Sequence, residues 1–196
     1  MIASAPSTGP ATGPATGLAI RPAVAAEIPA LEAMIAASAR ALSRGFYTPE
    51  EAEAAIAHVF GVDSELVADG TYFVATPADA PAQVLGCGGW SRRATLFGSD
   101  RFAARESGLL DPARDAARIR AFFIAPAAAR RGVGRALLEA CEQAALKCGF
   151  ARTELMATLP GQPFYAANGY LAGTETIVDC GGIPVRFVPM SKYLSG

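Results

Sequence analysis

Phe122-Phe-Ile-Ala-Pro-Ala-Ala-Ala-Arg130-Arg-Gly-Val-Gly-Arg135-Ala-Leu-Leu138 holds the decisive transition of this chain. The run Ile119 to Ile124 is apolar and of strand length, and Pro126 ends it. Gly132 and Gly134 then open an amphipathic segment reaching Lys147, with Val133, Leu137, Ala140, Cys141, Ala144 and Cys148 on one face. Gly149 is a suitable stop. The stretch therefore reads as strand, loop and helix. N–H groups in the first turn of a helix have no internal acceptor, and Ser, Thr, Asp or Asn normally supplies one. Ala127 to Gly134 contains none of these. An anion would satisfy the donors, helped by the helix dipole. Gly132 and Gly134 let phosphate oxygens approach the backbone, and Arg130, Arg131 and Arg135 concentrate positive charge. A plain glycine-rich helix start with solvated arginines explains this less well, because it leaves the donors uncapped. The Walker pattern is absent, and Leu137 stands where a dinucleotide fingerprint wants Gly or Ala. The junction is that of a diphosphate site.

Upstream, Leu18 to Pro22 reads as a short strand and Ala25 to Leu42 as a helix, on the spacing of Ile28, Leu31, Met34 and Ile35. Thr48, Pro49 and Glu51 form a capping-box start for a second helix running to about Phe60. Gly70–Thr76 and Val84–Ser91 form a hairpin around Pro77–Pro81. Residues 92–117 are a polar connection, long enough to act as a lid or to be mobile. Downstream come a strand at Thr153–Ala157, a short helix at Gln162–Asn168, and strands near Thr176–Cys180 and Val185–Met190. The order β-α-α-β-β-β-α-β-α-β-β describes one mixed α/β (α+β) domain over residues 18–196. Residues 1–17 contain TGPATGPATG and read as a disordered low-complexity leader.

The totals narrow the function classes. A chain of 196 residues, 52% hydrophobic, suits a single packed domain. With a formal net charge of -1 there is no global field toward nucleic acid or an anionic membrane, so any basic site is local. No apolar run approaches bilayer length and the start has no secretory signal, so a cytoplasmic, non-membrane protein is expected. Cys87, Cys141, Cys148 and Cys180 lack metal or disulfide spacing and read as small buried hydrophobes, with Cys141 and Cys148 on the buried face of their helix. His58 is the only histidine, and no metal site is expected.

Arg131-Gly132-Val133-Gly134 with Ala136-Leu137-Leu138 resembles the acetyl-CoA signature of the GNAT (GCN5-related) N-acetyltransferases. Pro163-Phe164-Tyr165-Ala-Ala-Asn168-Gly169-Tyr170 is similar to that family's Phe-Tyr-x-x-x-Gly-Phe/Tyr element, and Met190-Ser-Lys192-Tyr-Leu194 fits its last strand. The two motifs come in the family's order, and the resemblance covers about residues 18–194. It implies the GNAT fold, a central mixed, mostly antiparallel twisted sheet flanked by helices. It also implies acetyl (acyl) transfer from acetyl-CoA, as co-substrate, to a small-molecule or peptide amine by direct attack, without metal or nucleic acid. Dimers are frequent in the family, which brings a homodimer into consideration.

The resemblance implies roles residue by residue. Phe122, Phe123 and Ile124 would bind the pantetheine arm through their backbone. Arg130, Arg131, Gly132, Val133, Gly134 and Arg135 would hold the pyrophosphate. Tyr165 would be the general acid that protonates the departing thiolate, a role open to a phenol because it stays protonated at neutral pH. The chain departs from the family in three places. Ala129 replaces a common Gln or Arg, and Thr158 stands where an Asn often contacts the coenzyme arm. Arg118-Ile119-Arg120-Ala121 lacks the strand carboxylate that often serves as base, and Glu154 would point to the opposite face of its strand. This leaves the base unassigned and motivates an alternative, a catalytically silent acyl-CoA-binding sensor or interaction module. For the acceptor, Phe46, Tyr47 and the strand end Trp90, Ser91, Arg92 and Arg93 are candidates, while Asp100, Glu106, Asp111 and Asp115 could attract a cationic amine.

Overall fold

A computed structural model describes residues 17–103, 106 and 108–195. All but Gly17 of the expected leader lies outside the described residues. Elements follow in the order β1 (Leu18–Pro22), α1 (Ile28–Leu42), α2 (Pro49–His58), α3 (Ser64–Ala68), β2 (Tyr72–Pro77), β3 (Gly86–Ser91) and β4 (Ala117–Ile124). They continue with α4 (Val133–Lys147), β5 (Arg152–Thr158), α5 (Gln162–Ala167), β6 (Leu171–Ala172), β7 (Thr176–Cys180) and β8 (Ile183–Tyr193). The start of α2 is the capping box read from the sequence: Thr48 Oγ1 accepts from the Glu51 N–H at 3.1 Å, and Glu51 Oε2 from the Thr48 N–H at 2.7 Å. Two elements were not expected, the two-residue β6 and α3, whose start is capped by Asp63 accepting from the Glu65 N–H at 3.0 Å.

The strands form an 8-stranded sheet in the order β1-β2-β3-β4-β5-β8-β6, with β7 also on β8. Every pairing is antiparallel except β4 with β5, which run parallel and pair only at Ala117–Thr153 and Arg118–Glu154. Beyond those pairs the two central strands lose their hydrogen bonds, leaving a split in the middle of the sheet. A bulge adds to it. Between the pairs Cys87–Phe123 and Gly89–Arg120, β4 carries one residue more than β3, and Ala121 takes φ 51°. The hydroxyl of buried Tyr72 donates to the Ala121 carbonyl at 2.8 Å, holding that conformation. The bulge breaks alternation, so Arg120 and Ala121 face the same side, Phe122 the other, and Phe123 the first again.

The two faces of the sheet carry separate cores. Leu31, Ile35 and Phe60 of the α1–α2 layer pack on Tyr72, Val74 and Phe187. On the other face, Leu138, Cys141 and Ala145 of α4 pack on Ile119, Leu155 and Trp90, and Val133 and Leu137 on Ala75 and Leu85. Cys148 corrects the expected pattern. The helix ends at Lys147, and Cys148 is exposed at its cap rather than buried beside Cys141. The long connection after β3 is tied down over its described residues: Arg93 pairs with Asp69 at 2.9 Å, Asp100 accepts from the Ser64 N–H, and the Gly98 carbonyl accepts from Arg120 at 2.7 Å.

Candidate active site

A cleft of about 770 Å³ passes through the split between β4 and β5. Its walls come from the start of α4, the open half of β4, the α5 turn and, on the other face of the sheet, α1 and the segments at Phe60 and Phe97.

At the α4 start, Gly132 is the N-cap residue with φ 82° and no side-chain cap, and Arg130 also has positive φ, 60°. A Cβ on Gly132 would meet nothing within 4 Å, so its conformation, not crowding, calls for glycine. The first N–H groups of α4 have no acceptor among the described residues, as the missing cap requires. Arg130 and Arg131 are exposed and make no ion pair among the described residues, while Arg135 bonds Glu139 at 2.8 Å along the helix. Arg130, Gly132, Gly134 and Arg135 line the cleft. Arg131 and the side chain of Val133 do not; Val133 is buried under the helix. A loop with alternating positive φ, free N–H donors and unpaired arginines matches the chemistry of a pyrophosphate.

Phe122, Phe123 and Ile124 line the middle of the cleft. The Phe122 ring lies over Gly88, where a Cβ would collide with it, so β3 needs glycine there. Phe122 stacks on Phe164 at 6.1 Å and meets Tyr165 edge-on at 6.2 Å. Tyr165 is 7% exposed, lines the cleft, and its hydroxyl has no hydrogen-bond partner among the described residues. Burial raises its pKa well above the ordinary phenol value, so the hydroxyl remains protonated. Neighbouring Tyr170 differs: its hydroxyl is committed to Thr153 Oγ1 at 2.9 Å. Thr158 lines the cleft near Tyr165, its hydroxyl accepting from the Gly161 N–H at 3.2 Å.

The far end is aromatic. Phe60 meets Phe123 at 5.3 Å and Phe187 at 6.1 Å, and Phe97 lies 6.1 Å from Phe187. Beneath them Arg120 Nη2 pairs with Asp63 Oδ2 at 2.6 Å, both side chains 0% exposed. No Asp, Glu, Lys or His lines the cleft among the described residues. Glu154 is ion-paired to Arg118 and does not reach the cleft. Of the acceptor candidates, Phe46 lines it, whereas Tyr47 is buried, donating to the Arg186 carbonyl at 2.5 Å and accepting from the Leu159 N–H at 2.9 Å. Trp90 is in the core, and Arg93 is held by Asp69. Asp100, Glu106, Asp111 and Asp115 lie away from the cleft, and His58 is exposed at the end of α2. The residues missed in sequence are Asp63 with Arg120, and the rings Phe60, Phe97 and Phe187. Their one sequence signal was Arg120, a charged residue inside the otherwise apolar run Ile119 to Ile124.

A mixed sheet split at a bulged central strand, with an uncapped helix start at the split, defines the class as the GNAT N-acetyltransferase fold. Residues 100–194 match the model of the acetyltransferase (GNAT) domain. The fold is shared with a GCN5-related N-acetyltransferase, also described as a class-II aminotransferase, from Rhodopseudomonas palustris. That structure has TM-score 0.67 and 22% identity over 91% of this chain and 97% of the other. PaiA N-acetyltransferase from Thermoplasma acidophilum, solved in complex with coenzyme A, gives 0.61 at 17% identity over 91% and 100%. A ribosomal-protein-alanine N-acetyltransferase from Brucella melitensis gives 0.56 at 18% over 90% and 99%. No curated protein matches the chain. No helix among the described residues is long and apolar enough to cross a membrane, and no cluster among them has the makings of a metal site.

Proposed function

We propose that this chain transfers an acyl group, acetyl in the first instance, from acyl-coenzyme A to an amine by direct attack. The observation that carries this reading is the cleft itself, which joins an uncapped, arginine-flanked helix start through the split in the sheet to Tyr165, a cleft-lining tyrosine whose hydroxyl has no hydrogen-bond partner among the described residues. Arg130 and Arg135, with the N–H groups of the first turn from Val133, bind the pyrophosphate, and Gly132 and Gly134 allow its approach. Arg131 adds charge from just outside the cleft. The open backbone of Phe122, Phe123 and Ile124, freed from β5, offers hydrogen bonds to the pantetheine arm, with Thr158 on the opposite strand.

When bound, the coenzyme supplies the activated acyl group as a thioester. The protein contributes position and a proton. Strand N–H donors polarise the acyl carbonyl, the cleft fixes the amine against it, and Tyr165 gives its proton to the departing sulfur. Its raised pKa keeps that proton available throughout the neutral range.

One observation favours a second reading, a silent acyl-CoA-binding module: the cleft lacks a carboxylate or histidine to act as base. Amine-dependent release of thiol from acetyl-CoA by the purified full chain separates the two. Acyl transfer predicts release with at least one class of amine. Coenzyme A binding without release across alkyl, aryl, polyamine and peptide amines would establish the silent module instead.

A further inference from the structure

We propose that the acceptor is a weakly basic amine on an aromatic body, an arylamine in the simplest case, selected by the aromatic end of the cleft. This rests on the acyl-transfer reading above. A thioester lying along Phe122 and Phe123 faces, beyond the split, a wall of Phe60, Phe97, Phe187, Leu42, Val59 and Met156. The rings are arranged edge-on or tilted at 5.3 to 6.1 Å, an arrangement that accepts a further flat ring. Buried Ser38 and Ser43, on and just after α1, are polar residues that also line that end.

Charge decides against the common amines. Alkylamines, polyamines and amino termini are largely cationic at neutral pH. A cation entering this end would lose its hydration without a counter-ion, since no carboxylate lines the cleft among the described residues. The fixed charges at that end are already compensated: Arg120 pairs with wholly buried Asp63, and the Glu32 carboxylate beside Gly61 is taken by Arg101. The penalty falls on the ammonium form and spares the neutral one. An arylamine, whose lone pair is delocalised into its ring, is neutral at that pH.

The same property removes the need for the missing base. The neutral nitrogen forms a bond to the acyl carbon, the carbon–sulfur bond breaks, and the sulfur takes the Tyr165 proton. The nitrogen releases one proton to water, which restores the phenol. The products are an N-acyl arylamine and free thiol.

The test uses the full chain with acetyl-CoA and four acceptors: aniline, benzylamine, spermidine and a lysine peptide. Aniline should show the highest kcat/KM, with a flat pH profile between about pH 6 and 9, whereas benzylamine should rise with its neutral fraction. Calorimetry of aniline into the coenzyme A complex should show binding that Phe97→Ala weakens by roughly tenfold while coenzyme A affinity is unchanged. Leu42 is 39% exposed at the cleft, so Leu42→Glu will fold, and its new carboxylate should shift preference toward benzylamine severalfold. Preference for spermidine or the peptide, or no aniline turnover or binding, overturns the arylamine assignment while coenzyme A binding leaves the acyl-transfer reading standing. Failure to bind coenzyme A sinks both.

Discussion

At one end of the cleft, six consecutive residues from Arg130 to Arg135 shape a site out of backbone: positive φ at Arg130 and Gly132, free N–H groups, and arginines reaching into solvent. At the other end the wall is mostly side chain, assembled from α1, the Phe60 and Phe97 segments, β4, β5 and β8. The first suits a ligand with fixed charge that must be held the same way every time. Among the described residues that line the second, the one ionisable group is Arg120, paired with Asp63, which suits selection by shape and neutrality. On the proposed function, the first end holds the coenzyme and the second, set by residues that share no sequence neighbourhood, takes the acceptor.

The sharpest way to test that division is at the point where the ends meet. Tyr165→Phe should lower kcat roughly 10²–10⁴-fold and leave coenzyme A affinity unchanged, because the ring packing on Phe122 and Phe164 survives. Steady-state kinetics beside calorimetry checks it; a rate equal to the parent's would remove Tyr165 from the chemistry. Next in size, Asp63→Ala leaves Arg120 buried without this partner and should cost about 3–5 kcal/mol, read as a lower denaturation midpoint. Because Arg120 also holds the Gly98 carbonyl, the residual folded protein should lose acceptor binding before coenzyme binding.

A smaller effect is expected at the exposed end. Arg130→Ala should weaken coenzyme A binding by roughly tenfold, less so at high salt, where the charge is already screened. Smallest is the pH response of kcat. Burial raises the Tyr165 pKa above that of a free phenol, so its acid form persists as pH rises, and kcat should not fall on that account up to about pH 10. A decline with a midpoint near 8 would assign the acid to another group.

The sequence revealed the two ends unequally, for the same reason that separates them. The α4 junction was legible because its signals are contiguous: a strand, missing caps, glycines and arginines within one stretch. The Thr48 capping box and the motif carrying Tyr165 were local in the same way, and their elements lie where the spacing put them. Cys148 was placed on the wrong side of the burial line because the helix stops one residue short of it. Helix α3 escaped notice because it is a little over one turn, marked only by Asp63 and Glu65. The aromatic wall was beyond sequence reasoning. Phe60, Phe97 and Phe187 look like ordinary core residues one at a time, and only the bulge at Ala121 turns Phe123 to join them. The partner of Arg120 was equally hidden, since nothing near it in sequence announces Asp63.

The split sheet as an acyl-coenzyme A site is the central claim, and thermal unfolding of the full chain with coenzyme A, NAD or ATP tests it most directly. A ligand that binds only the folded state adds about 2.7 kcal/mol at a hundred times its dissociation constant. The structure predicts a clear upward shift with coenzyme A and acetyl-CoA, reduced in Arg130→Ala, and none with NAD or ATP. No shift at saturating coenzyme A, or a larger one with NAD or ATP, would contradict the account.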